Sequence, residues 1–220
     1  MDLATDNNPP GSLPPNHHHD HPGFRGFSGL LAALTFSTGR QPDADLAIRL
    51  TSIRAGDRVV DIGSGPGVAM RRASAAGATS VVGVDPARVM LRVGRLSSTF
   101  RSRRADVRFV EGAAEALPLE DASATVVWSL STVHHWRDVE RGLHEVRRVL
   151  IPGSPFLAIE RRVKPGSTGH ASHGWTDAQA ESFASACESA GFVDVTVARH
   201  QTSRPVQTVL ARAPEDAGER

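Results

Sequence analysis

The chain has 220 residues, a formal net charge of +1 and a single cysteine, Cys187. This length suits one well-cored domain with appended tails. The balanced charge gives no global electrostatic case for nucleic acid or an anionic membrane, and one thiol excludes an intrachain disulfide.

Residues 1–23 are rich in Pro, Asn, Gly and His and carry almost no apolar side chains, so a disordered tail is expected. His17, His18, His19 and His21 offer imidazoles, but no compact fold fixes their geometry there. The run is read as a flexible polar tail, and no metal site is assigned. No apolar run approaches the ~20 residues of a membrane span. The start also lacks a basic-then-apolar leader. A soluble cytoplasmic protein is the expectation.

Residues 24–213 read as a single domain: N-terminal helices over 24–55, a cofactor-binding core over 56–162, and a C-terminal helix and hairpin over 163–213. A frayed tail follows at 214–220. Phe24, Phe27, Leu30, Leu31, Leu34 and Phe36 recur at near-helical spacing. Pro42 then opens a second helix with Asp43 and Asp45 in its first turn, and the helix stops before Gly56.

Val59, Val60 and Ile62 form a short apolar run after the Gly56-Asp57 turn, which predicts a buried strand. Gly63, Gly65 and Gly67 follow, and a helix from Val68 ends near Gly77. A glycine turn entering a helix N-terminus presents N–H groups to a polar ligand. A second strand spans 80–85 and ends in Asp85. Pro86 begins the next helix, with Val89, Val93, Leu96 and Phe100 as its apolar face. Arg88, Arg92, Arg95, Arg101, Arg103, Arg104 and Arg108 make the chain's one basic cluster, read as a solvated face.

Further strands are expected at 107–110, 124–130 and 155–160. His134, His135 and Trp136 lie just beyond the fourth strand. Val139, Leu143, Val146 and Leu150 mark the helix between the fourth and fifth strands. Residues 164–175 form a loop holding His170 and His173, read as surface. Thr176-Asp177 opens a helix with Ala180, Phe183, Ala184 and Cys187 inward. Strands at 192–197 and 206–210, joined by a link over 198–205, close the pattern as a hairpin. The alternation predicts an α/β fold: a Rossmann-like three-layer sandwich whose seven-stranded sheet is mostly parallel with an antiparallel C-terminal hairpin.

The glycine spacing narrows the ligand. A dinucleotide fingerprint requires G-x-G-x-x-G, and position 68 is valine; a phosphate loop requires Gly-Lys-Ser/Thr, which is absent. Asp85 at the end of the second strand suits two ribose hydroxyls.

Three blocks carry a resemblance. They are V-V-D-I-G-S-G-P-G, V-V-G-V-D-P, and the run from F-V-E-G-A-A-E-A-L-P-L through S-L-S-T-V-H-H-W to E-V-R-R-V-L-I-P-G. Over residues 40–162 the chain resembles class I S-adenosylmethionine-dependent methyltransferases of the small UbiE-like group. The resemblance implies S-adenosylmethionine as cofactor and S-adenosylhomocysteine as product. It implies that Gly63, Ser64, Gly65 and Gly67 pack against the methionine part, with Asp61 anchoring the turn and the ammonium. Asp85 would hold the ribose and Pro86 border the adenine. Gly112, Ala113 and Ala114 would flank the adenine edge, and Ser129 and Leu130 would lie beside the methionine part. The family often has Asp at position 113, which is alanine here, and Phe-Asp where this chain has Ala124-Thr125.

Methyl transfer from a sulfonium needs alignment in a dry site, and a base only where the nucleophile must lose a proton. His134 and His135 are the candidate catalytic residues. Tyrosine is absent from the chain, so no phenol competes for that role. Trp136 and Trp175 are read as pocket walls or core, and Arg40 as a candidate for the cofactor carboxylate. The expected acceptor is a small molecule, methylated on O, N or C. Short segments around the acceptor side suggest an open site, or a lid completed by a homodimer partner. Two other readings stay open: a non-catalytic binder of S-adenosylmethionine or S-adenosylhomocysteine, and an RNA methyltransferase using the arginine cluster.

Overall fold

In the computed structural model of the chain, residues 41–96, 105–167 and 173–215 are described. Expectations for the tail at 1–23, the helix over 24–36, Arg40, Phe100, Arg101, Arg103, Arg104, His170 and residues 216–220 lie outside them.

The central strand forms where its apolar residues predict it. β1 (Arg58–Ile62) is buried at every residue after the first. It pairs in parallel with β2 (Ser80–Asp85) on one side and β4 (Val126–Leu130) on the other. β3 (Asp106–Glu111) lies outside β2, and β5 (Pro155–Arg161) outside β4. β7 (Pro205–Arg212) runs antiparallel to β5, and β6 (Val193–Gln201) pairs with β7 at the edge. The order is β3-β2-β1-β4-β5-β7-β6, so the crossover direction reverses between β1 and β4. Ligands of open α/β sheets bind outside the carboxyl ends of strands at such a reversal.

Alternation along the strands feeds two apolar layers. Val59, Val81, Trp128, Leu157 and Ile159 face a layer with α1 (Gln41–Thr51), α2 (Val68–Ala75) and α3 (Arg88–Leu96). Val60, Val82, Val127, Phe156 and Ala158 face the opposite layer, with α4 (Val139–Val149) and α5 (Asp177–Ser189). Burying one Leu, Ile or Phe side chain is worth about 1.5–3 kcal/mol, and an exposed ion pair about 0–1 kcal/mol. The two layers therefore dominate the stability of the sheet. Helix starts are locally encoded: Asp138 Oδ1 accepts from Arg141 N–H at 3.0 Å, and Thr176 and Gln179 form a reciprocal capping box at α5.

Three expectations are corrected. The inner face of α3 is Met90, Leu91 and Gly94, not Val89, Val93 and Leu96. Gly94 lies against the Phe109 ring, where a Cβ would sit 2.5 Å from Cζ, and that close approach turns its stripe inward. The fourth strand starts at Val126, with Ala124 making only an isolated bridge to Leu150. The last hairpin is also longer than expected: β6 reaches Gln201, and only residues 202–204 turn. Arg199, His200 and Gln201 are strand residues because they pair with Gln207, Val206 and Pro205. Among the described residues no helix is long and apolar enough to cross a membrane.

Candidate active site

At the end of β1 the backbone enters left-handed space at Gly63, Gly65 and Gly67, with φ of 71°, 53° and 79°. Gly63 allows no side chain, because a Cβ would lie 2.6 Å from Thr132 Cβ. Its N–H donates to Val84 O at 2.8 Å, and Ser64 N–H to the same oxygen at 3.2 Å. The turn is thus strapped across the end of β2. Thr132, which the sequence reading missed, closes the other side: its hydroxyl lies 3.0 Å from Ile62 O and 2.6 Å from Ser129 Oγ.

A cleft of about 20 Å³ lies in this turn, lined by Asp61, Gly63, Ser64, Pro66, Val68, Ala69 and Leu130. Asp85 borders it through a hydrogen bond, Oδ2 accepting from Gly65 N–H at 2.8 Å, while Oδ1 accepts from Ala87 N–H at 2.8 Å. The expected set is therefore partly assembled. Asp61, Gly63, Ser64 and Leu130 line the cleft, and Gly65 joins Asp85 at its rim. Gly67 precedes α2, and Pro86 is exposed. Gly112 N–H donates to Asp85 O at 3.4 Å, Ala113 bridges Ala116, and Ala114 is buried in the apolar layer. Ser129 is fully buried, does not line the cleft, and its hydroxyl lies 2.6 Å from Thr132 Oγ1.

These residues fit an adenosyl and amino-acid ligand. Ser64 Oγ is buried without a hydrogen-bond partner. A Cβ built on Gly65 would meet nothing within 4 Å, so the backbone there faces space. Two buried carboxylates, Asp61 and Asp85, supply acceptors for ammonium and hydroxyl groups.

A second group lies beyond β4 and β5. Residues Val133–His135 form a 3₁₀ turn. The His134 side chain is 10% exposed, and its Nδ1 lies 2.9 Å from Oε2 of Glu160, which is fully buried. The His134 backbone N–H also points to Glu160 Oε1, at 3.4 Å. A carboxylate accepts, so Nδ1 carries the proton and Nε2 presents its lone pair. That Nε2 is buried with no hydrogen-bond partner among the described residues. Glu160 was not singled out by the sequence reading; its signal was an acid closing an otherwise apolar strand.

His173, read from sequence as a surface-loop residue, is half-buried against the same pair, with ring centroids 5.4 Å from His134 and 5.8 Å from His135. Gly174 holds it there. Its φ is 139°, and a Cβ would overlap the Arg161 carbonyl oxygen. Trp175 N–H donates to that oxygen at 2.8 Å, and Gln207 Nε2 donates to Trp175 O at 3.0 Å. Trp136 and Trp175 are core residues, 6% and 1% exposed.

A further polar knot joins α1 to the last hairpin. Asp43, 1% exposed, accepts from Arg204 Nη2 at 2.8 Å and Thr202 Oγ1 at 2.9 Å; Arg204 also reaches Ser131 Oγ at 3.1 Å. Three arginines of the basic cluster have partners among the described residues. Arg88 pairs with Glu111, Arg108 with Asp106, and Arg95 donates to Phe109 O. Burial pushes the Cys187 thiol far above its ordinary range, so it is no nucleophile.

Residues 60–158 match the family described as methyltransferase domain. The uncharacterized methyltransferase YcgJ of Bacillus subtilis is 34% identical over 120 residues, covering 54% of this chain and 46% of that protein. The ubiquinone/menaquinone biosynthesis C-methyltransferase UbiE of Ectopseudomonas mendocina is 38% identical over 125 residues, covering 54% of this chain and 47% of that one. The chain thus spans about half the length of these curated relatives. The solved structure of a SAM-dependent methyltransferase from Aquifex aeolicus superposes with a TM-score of 0.68 at 15% identity, over 83% of this chain and 97% of that one. That likeness is one of fold and agrees with the sheet order above. Taken with the glycine turn and Asp85, these matches identify a methyltransferase domain over residues 60–158 that is similar to the S-adenosylmethionine-dependent methyltransferases of the UbiE-like group.

Proposed function

We propose that the chain methylates a small-molecule acceptor whose nucleophilic atom gives up its proton to His134 Nε2. The observation that carries this reading is the His134–Glu160 pair: a buried carboxylate fixes Nδ1–H and leaves Nε2 without a partner. The bound cofactor supplies an electrophilic methyl group on a sulfonium, with the neutral thioether as leaving group. Asp85 would accept the ribose hydroxyls, the backbone at Gly63 and Gly65 would lie against the methionine part, and Asp61 would face the ammonium. Glu160 stabilises the imidazolium once His134 has taken the proton. His135 borders the acceptor. The UbiE relative is named a C-methyltransferase, which favours an acidic carbon over oxygen or nitrogen as the acceptor atom.

An RNA substrate finds less support, because Arg88, Arg95 and Arg108 already have protein partners. A non-catalytic cofactor-binding protein is separated from an enzyme by experiment. Calorimetric titration with S-adenosylmethionine and S-adenosylhomocysteine, on the wild type and Asp85→Ala, tests the cofactor site. Binding to the wild type and its loss in the variant are expected; no binding to the wild type sinks the reading. Turnover is then screened against acidic-carbon and phenolic acceptors. Activity that persists unchanged across pH in His134→Gln would remove the base. Binding with no turnover on any acceptor would leave a cofactor-binding protein.

A further inference from the structure

We propose that His134, His135 and His173 form a three-imidazole site for a first-row transition-metal dication of the zinc type, with Glu160 orienting His134. One ring nitrogen from each histidine falls in a group whose members all lie within 4.8 Å of one another. A tetrahedral ion with metal–nitrogen bonds of about 2.0–2.1 Å needs its ligand nitrogens roughly 3.3 Å apart. Rotation of the exposed His135 ring and the half-buried His173 ring supplies that closure, while His134 is held in place.

Three features go beyond proximity. Glu160 is fully buried and bonds His134 Nδ1 at 2.9 Å, the carboxylate–histidine arrangement that orients a metal-binding imidazole and raises its basicity. His134 Nε2, the atom this leaves for the ion, is buried and lacks a hydrogen-bond partner among the described residues. Such an atom is destabilising unless something binds it. The third feature is that His173 is brought in by a backbone only glycine permits, at Gly174, and is strapped to β5 and β7 through Trp175.

The donor set selects the ion class. Imidazoles suit zinc, copper, nickel and cobalt, whereas magnesium and calcium require oxygen ligands. Three protein nitrogens leave the fourth position of a tetrahedral ion for a small molecule. The lone pair of Nε2 cannot hold an ion and take a proton at once, so occupancy blocks the base role proposed above. The metal site does not depend on that role.

The test uses the full chain with His17, His18, His19 and His21 replaced by Ala, which removes the competing imidazoles of the tail. Zn²⁺ is titrated calorimetrically and Co²⁺ by visible absorption, without S-adenosylmethionine, so the result is independent of methyl transfer. One equivalent of metal and the intense visible bands of four-coordinate Co²⁺ are expected. His173→Ala and His135→Ala, at positions not buried in the core, should each weaken binding tenfold or more, and Glu160→Gln about 10–100-fold. His144→Ala, on the exposed face of α4, should change nothing. A tail-substituted chain that takes up less than one equivalent overturns the site, as does a His173→Ala chain that binds as tightly as its parent. Unchanged affinity in a folded Glu160→Gln chain removes the orienting carboxylate.

Discussion

The two ends of the site are built from different materials. The cofactor end is backbone: the turn at Gly63 and Gly65, two N–H groups on Val84 O, and a carboxylate that grips Gly65 N–H. The histidine end is side chains: three imidazoles and a buried glutamate drawn from β4's exit, β5 and the loop before α5. Backbone cannot be exchanged for another chemistry, so the first end can hold one ligand through many sequences. Side chains can be exchanged one at a time, so the second end is where a member of the fold acquires its own chemistry.

The sharpest way to break this contrast is at Gly63. Gly63→Ala combines a left-handed φ with a Cβ driven into Thr132, and should cost about 3 kcal/mol of stability, read by urea unfolding. Cofactor binding should fall with it; an unchanged midpoint would mean the turn is softer than described. Next in size is Glu160→Gln. Turnover should drop about 100-fold with cofactor affinity retained, because only the proton acceptor is affected. If cofactor affinity falls equally, the two ends are not separable. Asp85→Asn keeps an acceptor for one backbone N–H but loses the charge, and calorimetry should show cofactor binding weakened about 10-fold.

The smallest effect lies outside both ends. The Arg148 guanidinium, opposed by burial and helped by Leu117 N–H, holds Glu145 below its ordinary carboxylate value of 4.5. A depressed folded value means the contribution is present above that ordinary value and lost as pH falls through the lower folded value. Glu145→Gln should thus cost under about 1 kcal/mol near neutrality, and the gap to wild type should close in acid. A gap that widens in acid would reverse the sign of the assignment.

Much of the sheet was legible in the chain because its strands are runs of β-branched and apolar residues, as in Val59 to Ile62 and Val81 to Val84. The inner face of α5 was equally clear, since Ala180, Phe183, Ala184 and Cys187 keep helical spacing and all four are buried. α3 misled because its largest aliphatics, Val89, Val93 and Leu96, make a regular stripe. The packed stripe is instead set by a glycine against Phe109, which no periodicity records. β6 was cut short because an edge strand needs no apolar alternation, and Arg199, His200 and Gln201 look like a turn until paired. At the site, the glycine motif and Asp85 are local patterns. The pairing of His134 with Glu160, and the return of His173 to both, exist only once β5 and its following loop are folded. The bond between the Ser129 and Thr132 hydroxyls, three residues apart, is likewise absent from any local pattern.

β7 lies between β5 and β6, yet it is the last strand in the sequence. A nascent chain emerging from a ribosome therefore makes β6 before its partner exists, and β5 waits with one edge unpaired. Gln207 on β7 also donates to Trp175 O, adding to the bond that Trp175 N–H makes to Arg161 O at the loop end holding His173. The histidine end gains this last tie only after β7 slides into the gap, whereas β1 to β4 and their glycine turn can already be in place. A truncation before Pro205 would keep the older, backbone-built half and leave two raw sheet edges open to aggregation.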